Sequence, residues 1–179
     1  DSDDSVDKKR VELSKKYLIK NNIVVNELNI FSKNNKLIYK NYFSKRISNK
    51  FKFRNNELLD KNFLGLTNTS LNTNILKNQN LNKLKKAPIF DWAFWYMLLK
   101  NNTGIFISET HTNYINIFNS LTSFTVVKNY DNKIFNLKQK QIKFLKKEIG
   151  YPVKNFYKRI KKANNKNFFW WEFRENEAS

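Results

Sequence analysis

The chain has no cysteine, only three glycines and two prolines, and few acids in its long central stretch. Without cysteine, disulfides, thiolate zinc sites, iron–sulfur clusters and a cysteine nucleophile are excluded within these residues. Gly65, Gly104 and Gly150 stand too far apart to cradle a nucleotide, and no G-x-x-x-x-G-K-[ST] or G-x-G-x-x-G loop occurs. No run approaches the roughly 18–20 apolar residues that cross a bilayer. The longest candidate, 88–99, is interrupted by Asp91 and ends at Lys100. The single histidine, His111, has Glu109 and Asp91 as acidic neighbours but no second histidine and no H-E-x-x-H spacing. We read it as a surface residue near a helix start. No serine lies in a G-x-S-x-G turn. The expectation is therefore a protein that is not an enzyme, with no cofactor, no metal site and no small-molecule substrate.

What is present is lysine, asparagine and phenylalanine. The 179 residues carry 34 Lys plus Arg against 15 Asp plus Glu, a formal charge of +19. Residues 8–166 hold 33 of the cations and 8 of the acids, a net of +25. The ends carry the remaining acids: Asp1, Asp3, Asp4 and Asp7 before this body, Glu172, Glu175 and Glu177 after it. Lys outnumbers Arg 29 to 5, and Asn reaches 30 while Ala falls to 4. No folding requirement drives those ratios against average usage. They follow from A+T-rich codons, as in a mitochondrial, plastid, viral or A+T-rich nuclear genome. Codon drift explains Lys over Arg but not the loss of Asp. A body with so much like charge repels itself unless a polyanion compensates, so nucleic acid is the first partner to consider and an anionic membrane surface the second. The acidic opening is unlike a transit peptide, which would be basic, and a first residue other than Met leads us to expect a trimmed or processed start.

Along the chain, spacing predicts an α+β fold: a small mixed domain of short strands and basic helices with an Asn-rich extended segment. Four regions are expected: 1–65, an N-terminal helix and β-ribbon; 66–86, an Asn-rich extension or linker; 87–173, the main α+β region; and 174–179, an acidic tail. Val6, Leu13, Tyr17 and Leu18 predict a helix over 5–20. The short apolar groups of 23–54 predict an antiparallel ribbon turning near Lys33-Asn34-Asn35-Lys36. Segment 66–86 has no aromatic residue and no clear period, the pattern of an extension ordered only against a partner or of a surface loop rich in Asn. Asp91 is placed to cap a helix running to about Asn101, Gly104 to stop it, and Ile105-Phe106-Ile107 to form a buried strand. Tyr114, Ile117, Phe118 and Leu121 predict a second helix capped by Thr110 or Thr112. Strands are expected at Phe124–Val127 and Ile134-Phe135, with a turn at Asp131-Asn132. A basic helix over 136–149 is expected to turn Ile142, Leu145 and Ile149 to one side and to end at Gly150. A second, after Pro152, carries Val153, Phe156, Tyr157 and Ile160, and Phe168–Phe173 forms an aromatic strand or anchor.

The paired basic helices are the candidate binding element. Lys138, Lys140, Lys143, Lys147, Lys154, Lys158, Arg159, Lys161 and Lys162 are the candidate phosphate contacts. Lys-heavy charge favours backbone attraction over bidentate base reading, for which Arg is the better tool. A solvated helix face is the plain alternative. Trp92, Trp95, Tyr96, Trp170 and Trp171 are expected to be core or protein interface before base-stacking platforms, because a chain with so little Ala fills its interior with large rings.

This combination of an Asn-, Lys-, Phe- and Ile-rich body, strong basicity, no Cys, mixed short elements and an Asn-rich extension resembles ribosomal proteins encoded in A+T-rich mitochondrial genomes. A local stretch, with Ile117-Phe118-Asn119, Val126-Val127 and then Leu145-Lys146-Lys147-Glu148 before Gly150-Tyr151, is similar in order to the amino-terminal part of the eighth small-subunit ribosomal protein family. The resemblance implies a structural ribosomal component on the matrix side of the mitochondrion, with rRNA and neighbouring ribosomal proteins as partners. Two other readings stay open: an accessory subunit of an organellar membrane complex, such as a respiratory chain or ATP synthase, docked through 88–99, and a fragment of a nucleic-acid enzyme such as an intron-encoded endonuclease.

Overall fold

The computed structural model describes residues 4–45, 47–58, 62–77, 79–116 and 132–150. It has a mixed sheet with a few helices, an α+β fold. The chain divides into two compact units. The first comprises Asp1–Arg54, Leu64–Gln79 and Leu98–Ser123, and the second Asn55–Phe63, Asn80–Met97 and Phe124–Ser179.

The first unit is built on two long strands, β2 (Ile23–Ser32) and β6 (Gly104–Asn116), that run parallel. Four short strands flank them: β1 (Ser5–Val6), β3 (Leu37–Tyr39), β4 (Lys52–Phe53) and β5 (Thr69–Leu71). Each long strand changes its outer partner halfway. The early part of β2 pairs with β5 and its end with β3, while β6 pairs first with β4 and then with β1, all antiparallel. The change is made at an irregularity where Asn26 pairs with Ile107 but Glu27 pairs with His111, so that Ser108, Glu109 and Thr110 are extra residues on β6. Such insertions bend a strand and re-aim its side chains.

Helix α1 (Arg10–Leu18) lays Leu13, Tyr17 and Leu18 on Val24, Ile105 and Ile107. Strand residues alternate faces. Phe106 accordingly meets Phe43 rather than α1, with ring centroids 6.0 Å apart, and Tyr42 and Tyr39 continue an edge-on aromatic chain. Burying aliphatic side chains of this size stabilises by about 1.5–3 kcal/mol each. The expected helix over 5–20 is thus shorter, because Ser5 and Val6 pair with β6 instead. The expected turn at Lys33–Lys36 is present. Asn35 takes the left-handed conformation at φ 56° and donates to the Ser32 carbonyl, while Ser32 N–H reaches Lys36 O at 2.8 Å.

Three further expectations are corrected. Residues 110–116, expected to begin a helix, are strand, because Thr110 and Thr112 turn into the sheet and Tyr114 pairs with Ile30. Gly104 does not act as the stop of the preceding helix; that helix ends at Leu99, where the Asn102 amide donates to Leu98 O at 2.7 Å, and Gly104 opens β6. Within 66–86, β5 is ordered by the chain's own sheet, and the Asn72 and Asn80 side chains cap the two 3-10 turns Thr73–Leu76 and Leu81–Lys86.

Helix α2 (Phe90–Leu99), most of which lies in the second unit, buries Trp92, Ala93, Trp95 and Tyr96 and leaves Phe90 exposed at its start. The Trp92 indole N–H donates to Leu58 O at 2.8 Å. Helix α3 (Asn132–Phe144) continues into a π turn, Leu145–Ile149, and Gly150 follows at φ 79°. Ile142, Leu145 and Ile149 are buried as the spacing predicts. Ile134 and Phe135 lie in the first turns of this helix rather than in a strand. The expected strand Phe124–Val127, the residues 117–121 and Asp131, the helix after Pro152, the segment Phe168–Phe173 and the tail lie outside the described residues.

Candidate nucleic-acid interface

Every lysine whose side chain is described is exposed, in both units. On α3 and the π turn, the candidate contacts Lys140, Lys143 and Lys147 project to solvent together with Lys146, opposite the buried Ile142, Leu145 and Ile149. Lys138 lies on α3. Lys154, Lys158, Arg159, Lys161 and Lys162 lie outside the described residues. A helix with one apolar stripe leaves its long cationic side chains nowhere else to go, since a buried unpaired ammonium costs several kcal/mol.

Five of the described acids accept hydrogen bonds from backbone, hydroxyl or amide groups. Glu27 is buried beneath the Phe43–Ser44 turn. One of its oxygens accepts from Leu28 N at 2.8 Å and Phe43 N at 2.7 Å, the other from Ser44 N at 2.8 Å and from the Ser44 hydroxyl. Asp4 accepts from the Thr67 hydroxyl at 2.8 Å and from Ile115 N at 3.0 Å. Asp7 accepts from Lys9 N at 2.7 Å. Asp91 accepts from Trp92 N at 2.8 Å and from the Asn62 amide at 3.2 Å. Burial pushes Asp91 up to about 6 against the pull of backbone N–H groups.

Glu109, one of the three extra residues of β6, accepts from the Tyr17 hydroxyl at 2.6 Å. That bond, with burial and the carboxylate's charge behind it, raises Tyr17 to about 12. Burial of Glu109 opposes its charge, but Tyr17, its own backbone N–H, Lys50 and Asn49 together lower its pKa. The exposed pair Lys147–Glu148, 3.9 Å apart, is worth little against solvent screening.

Among the described cations, Arg10 is held inward. The Arg10 guanidinium donates to the Thr112 hydroxyl at 3.3 Å and Thr69 O at 3.4 Å, and burial lowers its pKa. The Thr112 hydroxyl also accepts from the buried Asn26 amide at 2.9 Å. This network ties α1, β2, β5 and β6 together and has a structural role.

Trp92, Trp95 and Tyr96 are buried, as expected of core residues, so they are not open for stacking; Trp170 and Trp171 lie outside the described residues. His111 sits on β6 rather than near a helix start, with Nδ1 3.9 Å from Asp7. Among the described residues, no three His, Cys, Asp or Glu side chains are grouped to hold a metal ion, and no helix is long and apolar enough to cross a membrane. Sequence reasoning missed two features of the second unit: the exposed Lys83, Lys85 and Lys86 on the turn before α2, and the exposed ring of Phe90. The run Lys83–Lys86 was the available signal for the first; nothing in the sequence distinguished Phe90 from the buried rings after it. Comparison with known protein families, with curated proteins and with solved structures found no match.

Proposed function

We propose that this protein is a structural component of a mitochondrial ribosome, on the matrix side, that binds rRNA phosphates through exposed lysines and neighbouring ribosomal proteins through its remaining surface. One observation carries the reading: the described lysines all face solvent while Glu27, Asp4, Asp7, Asp91 and Glu109 accept from backbone, hydroxyl or amide groups. Such a surface recruits a polyanion by counterion release and reads backbone charge rather than base sequence. The membrane-complex alternative relied on 88–99 as a docking segment, and its tryptophans are core.

Sedimentation of native particles tests the proposal. The protein should co-migrate with ribosomal particles and shift to light fractions after nuclease treatment. Release by detergent alone, with migration unaffected by nuclease, would overturn it.

A further inference from the structure

Phe90 is the one exposed aromatic ring among the described side chains, half of its surface being open. It begins α2, where Trp92, Trp95 and Tyr96 are buried and Phe94 is half-buried. Its ring stacks nearly parallel on Phe94, at a centroid distance of 5.7 Å and an angle of 14°, and Phe94 in turn meets Trp95 edge-on at 4.8 Å. The first turn beneath it is fixed. Ile89 N–H donates to the Gln141 side chain at 2.8 Å, and Ala93 N–H to Ile89 O at 3.2 Å. A flat apolar surface is thus held rigidly in water, which lowers the entropic cost of placing a ligand on it.

Its surroundings indicate which ligand. Lys83, Lys85 and Lys86 are exposed on the turn that leads into α2. Lys86 is four residues from Phe90, so their Cα atoms lie within about 14 Å even for extended chain. Half of one phenyl ring offers roughly 100 Å², against about 800 Å² per partner in a stable protein interface. An exposed ring preceded within seven residues by three exposed cations suits a nucleotide, with base on ring and phosphates on lysine, better than an apolar protein patch.

We infer that Phe90, backed by Phe94 and following the exposed turn that carries Lys83, Lys85 and Lys86, is a stacking platform for an unpaired RNA base. The inference rests on the RNA-binding reading above and adds to it a preference for single-stranded over duplex RNA at this site. Stacking is tolerant of base identity because every base has a π face.

Fluorescence anisotropy on the full chain tests it, with a short oligoadenylate strand and an RNA duplex of equal length as probes. The variants are Phe90→Ala, Phe90→Leu and Phe90→Trp, each checked for an unchanged circular dichroism spectrum. Phe90→Ala and Phe90→Leu should weaken single-strand binding by roughly tenfold, Phe90→Trp should retain it, and duplex binding should stay at the wild-type level in all three. Leucine keeps the apolar surface without the π face, so a Phe90→Leu protein that binds the strand like wild type overturns the platform. So does a Phe90→Ala protein that loses strand and duplex equally, or neither. If only the platform is wrong, the wild-type chain still binds both RNAs. Wild-type protein that binds neither probe at low salt overturns the phosphate reading, and the platform with it.

Discussion

The ring of Phe53 lies 2.2 Å from the point where a β-carbon on Gly104 would stand, and the two residues are direct partners across β4 and β6. The glycine is needed for that close approach, and Phe53 covers the backbone that a side chain would otherwise shield. Gly104→Ala should destabilise the protein by about 1–3 kcal/mol through overpacking, read from urea unfolding. Adding Phe53→Leu should recover part of that loss. Strict additivity of the two changes would show that they do not meet.

Glu27 holds the Phe43–Ser44 turn against β2 with four donors on its two oxygens. In Glu27→Gln one oxygen becomes an amide that faces the Ser44 donors with donors of its own. The expected cost is about 2–3 kcal/mol, together with faster amide exchange at Phe43 and Ser44. An unchanged unfolding midpoint would count against this role.

Asp91, raised to about 6 by burial, makes the folded state hold a proton more tightly than the unfolded chain, whose aspartates titrate near 3.9. Its contribution to stability is therefore present at low pH and lost as pH rises from about 4 through about 6. Asp91→Asn should remove that component, so the wild-type-minus-variant difference in urea midpoint should change sharply over this interval and be flat above pH 7. A flat difference throughout would contradict the assignment.

Tyr17 and Glu109 act at opposite ends of the pH scale. The raised Tyr17 favours its neutral form, so its contribution is complete below about pH 10 and is lost as pH climbs towards 12. The lowered Glu109 contributes above the usual glutamate value, about 4.3, and its share is lost on acidification. Alkaline absorbance titration of wild type minus Tyr17→Phe should isolate one tyrosine ionising near 12. A difference curve centred near 10 would show that the Glu109 contact does not persist in solution.

Lys140, Lys143 and Lys147 are exposed and removable without disturbing the buried side of α3. Replacing all three by Gln should leave the unfolding midpoint near wild type and lower the slope of log affinity for RNA against log salt by about 2 to 3, given 0.7–0.9 per phosphate contact. An unchanged slope would place the contacts elsewhere.

Local spacing made much of the fold legible. The apolar stripe of α3 and the turn at Lys33–Lys36 are short-range features, set by helical period and by the tolerance of Asn35 for positive φ. The buried strand Ile105–Ile107 was legible, but its continuation over 110–116 was not. Thr110 and Thr112 are polar residues that point inward, so the alternation expected of a half-buried strand is hidden. The partners of the Thr112 hydroxyl, Asn26 and Arg10, are far away in sequence.

By itself the sequence determined the charge, the exclusion of cysteine chemistry and the periodic faces of the helices, because these depend on composition or on residues within a few positions of each other. The tertiary structure alone decided which polar groups go inside: Glu27 under its turn, Arg10 on Thr112, Gln141 on the start of α2. It also decided that Phe90 faces water while Trp92 and Trp95 do not. Most buried polar groups need hydrogen-bond partners, and here distant segments supply many of them. Those partners come together only when the chain folds, so the scarcity of acids was visible in the sequence, whereas the backbone and hydroxyl donors that hold Glu27 and Asp4 were not.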